Sequence, residues 1–186
     1  NDWPWWRGPE RNGIANPDKN PPPKGSATEK ILWKSPIQGR GYSSPTVVGN
    51  RIFLASADTE NKTQFVLCYD RATGKQLWKT VVFTGGLSEK GNKKSTHASS
   101  TVACDGTRVY INFINNGAAY TSALTLDGRL VWQTKITDYI IHQGYGSSPA
   151  IYQDLVIVSA DNKGGGAIAA MNRANGMLVW KIDRPK

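Results

Sequence analysis

Cysteine is scarce in this chain of 186 residues, which contains only Cys68 and Cys104. Two thiols cannot staple a small disulfide-rich scaffold, so cohesion has to come from packing. Spacing leaves open whether they are two buried thiols or one bridge. Long apolar runs are also missing. Runs such as residues 155–158 fall far below the roughly 20 residues of a membrane-crossing helix, which excludes a transmembrane helix. No stretch of 11 or more residues repeats its apolar positions with a helical period, which leaves short strands as the expected elements. Acidic residues are few, 14 against 23 Lys and Arg, giving +9 and a pI near 9.6. That excess favours a solvated basic surface over a nucleic-acid site. The basic residues are scattered, the densest group (residues 90–94) lies in a Gly/Ser/Asn-rich loop, and no zinc-finger spacing, RNA-binding signature or basic helix is present. No nucleic-acid partner is expected.

Aromatic side chains and turn formers, in contrast, are plentiful: 7 Trp, 7 Tyr, 4 Phe, 19 Gly and 10 Pro. Bulky rings offset the entropy of ordering and argue against disorder, while Gly and Pro at this level imply many turns between short elements. Residues 1–30 stand apart. Trp3-Pro4-Trp5-Trp6-Arg7-Gly8-Pro9 is followed by Asn16-Pro17 and Pro21-Pro22-Pro23, a composition hostile to helices and central strands. They read as an extended arm whose tryptophans dock elsewhere on the molecule. The chain starts Asn1-Asp2-Trp3 with no initiator Met or apolar signal segment, which reads as a mature, processed or trimmed start and leaves an exported origin open. From residue 31 the text changes to short strands. Thr46-Val47-Val48 faces Arg51-Ile52-Phe53-Leu54 across Gly49-Asn50, and Phe65–Tyr69 faces Gln76-Leu77-Trp78 across a turn ending in Thr73-Gly74.

The strands recur. Trp33, Trp78, Trp132 and Trp180 are spaced 45, 54 and 48 residues apart, and the last three each follow a glycine by four positions: Gly74, Gly128 and Gly176. A second landmark, Tyr42-Ser43-Ser44-Pro45, Ala98-Ser99-Ser100-Thr101 and Gly146-Ser147-Ser148-Pro149, precedes Trp78, Trp132 and Trp180 by 34, 32 and 32 residues, counted from Ser44, Ser100 and Ser148. Each unit has room for four strands, as in a propeller blade, whose faces are buried only by stacking on a neighbour. The recurrent serines point to bonding between inner strands. The expected fold is all-β: an arm over residues 1–30, then a partial β-propeller over 31–186. Within it, a lone strand is expected at 31–34 and blades at about 41–80, 97–134 and 144–182.

Two segments, Cys68-x-Asp70-x-x-Thr73-Gly74-x-x-x-Trp78 and Ala170-x-Asn172-x-x-Asn175-Gly176-x-x-x-Trp180, resemble the tryptophan-docking motif of the quinoprotein-like (PQQ-type) β-propeller repeat family. In that motif the Asp or Asn holds a turn, the Gly permits a positive φ and the Trp stacks between blades. The opening Trp3-Pro4-x-x-Arg7-Gly8-Pro9-x-Arg11-x-Gly13 is similar to that of exported bacterial BamB-like repeat proteins of the family, which implies export to the periplasm or cell envelope of a bacterium. Its rings usually have eight blades, about 400 residues at roughly 50 per blade. The resemblance therefore implies a partial propeller that meets the remaining blades or a second copy of the chain.

The resemblance offers two functions. Dehydrogenases of the family need PQQ, a Ca²⁺ held by oxygen ligands and an axial carboxylate, and commonly carry a vicinal cysteine pair. Here Cys68 and Cys104 lie in different units, and Asp70, Asp105 and Asp127 sit where turns require them. The expectation is a non-catalytic scaffold without cofactor or metal that binds a protein or ligand, such as an envelope protein. A fragment of a PQQ- and calcium-dependent alcohol or sugar dehydrogenase is the alternative. Candidate binding residues at the channel mouth are Arg40, Tyr42, His97, His142 and Tyr145. Both histidines precede the innermost strand of a unit.

Overall fold

The computed structural model describes residues 2–18, 31–89 and 91–185. The second half of the arm, with its three consecutive prolines, and Lys90 lie outside the described residues. Among the described residues no helix is assigned. Twelve strands form three antiparallel sheets of four, each in sequence order. The first blade holds β1 (Thr46–Val48), β2 (Arg51–Asp58), β3 (Thr63–Asp70) and β4 (Gln76–Thr84). The second holds β5 (Ala103–Cys104), β6 (Arg108–Asn115), β7 (Ala118–Thr125) and β8 (Leu130–Asp138), and the third β9 (Ala150–Tyr152), β10 (Leu155–Ser159), β11 (Ala167–Asn172) and β12 (Leu178–Asp183). This is a partial β-propeller. The strands start later than the repeat landmarks because the serine segments belong to the crossovers that lead into each inner strand. Residues 31–34, expected as a lone strand, carry none. Strands are defined by ladder bonds to a neighbour, and residues 31–34 belong to none of the three sheets.

A single cross-strand pattern builds all three blades. Cys68 pairs with Phe53 on one side and Trp78 on the other; Ala123 pairs with Tyr110 and Trp132, and Ala170 with Ile157 and Trp180. The central residue is small and fully buried, which lets the flanking rings close over it. Phe53–Trp78 and Tyr110–Trp132 centroids are both 5.9 Å apart. Cys68 thus serves as a small spacer. It and Cys104 are free and buried, and burial pushes the Cys68 thiol up to about 12. In each blade the outer ladder slips immediately after the small residue, at Cys68/Tyr69, Ala123/Leu124 and Ala170/Met171. Such bulges add twist to the outer strand.

The core lies between the blades. One cluster joins the first two blades through Phe53, Val66, Val109, Ile111 and Phe113; another joins the last two through Tyr110, Trp132, Ile151, Val156 and Met171. Three of the four repeat tryptophans reach the following blade's outer turn. The Trp33, Trp78 and Trp132 indole Nε1 groups donate to the carbonyls of Arg71, Leu126 and Arg173, at 2.9, 3.0 and 3.0 Å. Two positions later a hydroxyl bonds the turn glycine's carbonyl: Ser35 to Gly74, Thr80 to Gly128 at 2.6 Å and Thr134 to Gly176 at 2.7 Å. Those three glycines have positive φ, and a Cβ on any of them would sit 2.5–2.7 Å from the incoming indole ring. Only glycine meets both demands. The segments that lead into the inner strands are tied by hydroxyls. Ser44 N donates to Thr101 Oγ1 and Thr101 N to Ser148 Oγ, both at 3.0 Å.

The described part of the arm crosses the inner edges of all three blades. Trp3 pairs with Val47 of β1, Pro4 O accepts from Cys104 N of β5, and Arg11 donates to Ile151 O of β9. It thereby covers edge groups that inner strands would otherwise leave unpaired. Asp2 accepts from Gly49 N in the β1–β2 turn, which places this crossing at the end of the blades opposite the crossovers.

Candidate functional site

At the crossover end, between the first and second blades, lies a cavity of about 230 Å³. Its position follows from unequal connections. The β4–β5 crossover spans residues 85–102, against 139–149 for β8–β9, and the longer one arches over the ends of β2 and β6. Ala57, Phe113, Ile114 and Ile141 give the cavity an apolar floor. Arg40, Lys93, His97, Ser95, Asn112 and Tyr145 contribute polar groups. The two crossovers hold each other. Asn92 Nδ2 donates to Gln143 Oε1 at 2.6 Å, and Gly144, with φ +119, lets Ser95 approach where any Cβ would collide at 1.8 Å. Beneath them the buried Gln64 donates to the carbonyls of His97 (2.8 Å) and Ile114 (3.1 Å), fixing the backbone at His97.

Of the five residues expected at the channel mouth, three line this cavity: Arg40, His97 and Tyr145. Burial holds the half-buried His97 imidazole below its ordinary value, so it is neutral at neutral pH. Burial drives the Tyr145 hydroxyl upward; it donates to Ser159 O at 2.9 Å and packs edge-on against Tyr139 with centroids 5.3 Å apart. Tyr42 is exposed outside the lining, where its hydroxyl bonds Arg40 and its ring lies 5.1 Å from that guanidinium. His142 is exposed and is not among the residues that line the cavity. Asn112 and Phe113 came from no sequence signal. They sit inside an ordinary β6 pattern, and only the packing of the crossover over that strand gives them a cavity to face.

The acids expected in turns occupy turns. Asp70 is held below the usual carboxylate range by the Thr73 hydroxyl and backbone N–H, and Asp127 by the Thr125 hydroxyl. Asp105 is the exception in its surroundings. Burial opposes its charge, but N–H donation from Thr107 and Arg108 outweighs that and keeps its carboxyl low. It also accepts from Tyr110 at 2.8 Å and meets Arg173 of the third blade at 3.3 Å, an ion pair across the blade interface.

Three antiparallel four-stranded sheets of this kind place the chain in the PQQ-like class of β-propeller repeats. Residues 62–186 match the family described as outer membrane protein assembly factor BamB, and the chain belongs to that family. No curated protein matches the sequence. Among solved structures, a europium-containing methanol dehydrogenase is similar over 77% of this chain and 25% of its own, at 17% identity and TM-score 0.53. BamB from Moraxella catarrhalis is similar over 81% of this chain and 51% of its own, at 14% identity and TM-score 0.42. This chain spans about a quarter of the first and half of the second. At such identities the likeness to the first speaks to fold alone.

Proposed function

We propose that this chain is a non-catalytic propeller module of the bacterial envelope that binds a protein partner at its crossover end. The carrying observation is the cavity between the first two blades, with an apolar floor to seat a side chain and Arg40, Lys93 and His97 around it to select what surrounds that side chain. Family membership supports an envelope setting and a role beside the outer-membrane assembly machinery. We further read Trp33–Gly74, Trp78–Gly128 and Trp132–Gly176 as docking pairs that pre-shape the binding end by locking blade to blade.

The chemistry of the lining supports binding over oxidation. Calcium in a quinone site takes 6–8 oxygen ligands, with carboxylates prominent. Glu89 is the one carboxylate on this wall among the described residues, and Arg40 and Lys93 line the same wall. These residues do not fit a calcium–quinone pair. The test is binding of the chain to the periplasmic region of the outer-membrane assembly machinery from the same organism, followed by light scattering and surface-immobilised titration. Filling the cavity with Ser95→Trp, or reversing charge with Lys93→Glu, should weaken the complex at least about tenfold. Wild-type affinity in both variants refutes the reading, as does sustained dye reduction after addition of PQQ and Ca²⁺ with an alcohol or aldose.

A further inference from the structure

A second opening, of about 300 Å³, lies where the arm meets the inner edge of the third blade; it is lined by Trp5, Trp6, Arg7, Arg11, Ser148, Pro149 and Ala150. It shares no residue with the crossover cavity. Three energetic costs converge on this short stretch. Arg7 and Arg11 are held at φ 68° and 56°, a region that non-glycine residues avoid, and the Trp5 indole Nε1 is shut from solvent without an acceptor among the described residues. Trp6 remains 56% exposed, although its neighbours Trp3 and Trp5 are half-buried. A segment that served only to cover strand edges would need none of these. Backbone strain and orphaned polar atoms of this kind gather where a ligand is held.

The chemistry of the opening is specific. Each guanidinium lies over an indole, Arg7 5.6 Å from the Trp6 ring and Arg11 4.7 Å from the Trp5 ring. Arg7 spends one N–H on Asn12 O at 3.0 Å and Arg11 one on Ile151 O. Among the described residues neither meets a carboxylate. A guanidinium carries five N–H donors in a planar fork, so each arginine keeps donors for an oxyanion, and stacking on an indole fixes the direction in which they point. The exposed part of Trp6 offers an electron-rich face to weakly positive C–H bonds. A carboxylate on a saturated ring satisfies both halves at once.

We propose that the arm and the third blade form a binding site for carboxylate-bearing sugars of the uronic-acid type, with Arg7 and Arg11 holding the carboxylate and Trp6 stacking on the ring. The site is independent of the crossover cavity.

The test titrates the whole chain with tetragalacturonate and with the neutral cellotetraose, following tryptophan fluorescence and, separately, the heat of binding. The acidic sugar should bind at least about tenfold more tightly than the neutral one, the scale of one charge-assisted bidentate contact. Trp6→Ala and Arg7→Asn should each weaken it by about tenfold. Asparagine tolerates the positive φ of position 7, so Arg7→Asn removes the guanidinium and should keep the wild-type thermal midpoint. If that midpoint falls, Trp6→Ala, at an exposed ring, decides. Equal affinity for the two sugars, unchanged affinity in the variants, or full displacement by equimolar inorganic phosphate would overturn the proposal. The last result would mark a bare anion site.

Discussion

The second and third blades carry the same signal and meet different fates. Trp132 and Trp180 each follow a turn glycine by four residues and each pairs across the sheet with a buried alanine. Trp132 is 8% exposed, laid on Gly176; Trp180 is 36% exposed, and all six residues of β12 are exposed. Position 134 supplies a threonine whose hydroxyl bonds the next turn, whereas the matching position 182 is isoleucine. A tryptophan in this fold is thus buried by the blade that follows it, and its own blade supplies only the platform.

The comparison breaks most sharply under truncation. Trp132→Ala should cost about 3–5 kcal/mol, as for large buried aromatics, while Trp180→Ala should cost about 1 kcal/mol or less. Urea unfolding of both variants measures this, and equal losses would show that the tryptophan's own blade provides its stabilisation. A smaller contrast separates glycines. Gly128→Ala drives a methyl to 2.7 Å from the Trp78 ring at φ +91 and should cost about 2–4 kcal/mol; Gly85→Ala, at φ +75 in open space, should cost about 1 kcal/mol. If the two lose the same amount, contact with the indole is irrelevant and only φ matters. Thr134→Val should cost about 1 kcal/mol through the lost bond to Gly176, whereas Ile182→Thr should stay within about 0.5 kcal/mol. A gain from Ile182→Thr would reveal a partner for β12 that the described residues do not supply.

The smallest effect concerns pH. Burial lowers the His97 pKa below its ordinary 6.5, so the unfolded chain takes up the proton first as pH falls. The stability that depends on neutral His97 is complete above about pH 6.5 and declines as pH drops through the lowered folded value. His97→Gln should flatten that slope of the unfolding midpoint between about pH 7 and 5. An unchanged slope would move its origin to other groups.

Much of this was legible before any coordinates. The hairpins at Gly49-Asn50 and at residues 71–75, the glycine–tryptophan pairs and the serine landmarks are local signals, set by φ preference, side-chain size and two-residue alternation. The middle repeat was harder to read. Its turn is two residues shorter, which concealed that Ala123 is the counterpart of Cys68 and Ala170; the shared ladder slip exposes the match. The expected strand at 31–34 failed for a related reason: Trp33 kept its turn contact with Arg71, but a strand is defined by a partner that no local signal guarantees.

The site divides along the same line. His97 and His142 both precede an inner strand, yet only His97 lines the cavity; counted back from Ser100 and Ser148, the position that matches His97 is Tyr145, which lines it too. The tryptophans of the arm were expected to dock. Trp3 and Trp5 do and Trp6 remains exposed, and the arm's path across β1, β5 and β9 followed from no motif. By itself the sequence determined the strands, the turns and their repeat, since those depend on residues a few positions apart. Tertiary structure alone decided which tryptophan is buried, where the arm lies and which histidine meets a cavity, because each rests on contacts between residues some 40 to 140 positions apart, where packing and shape decide.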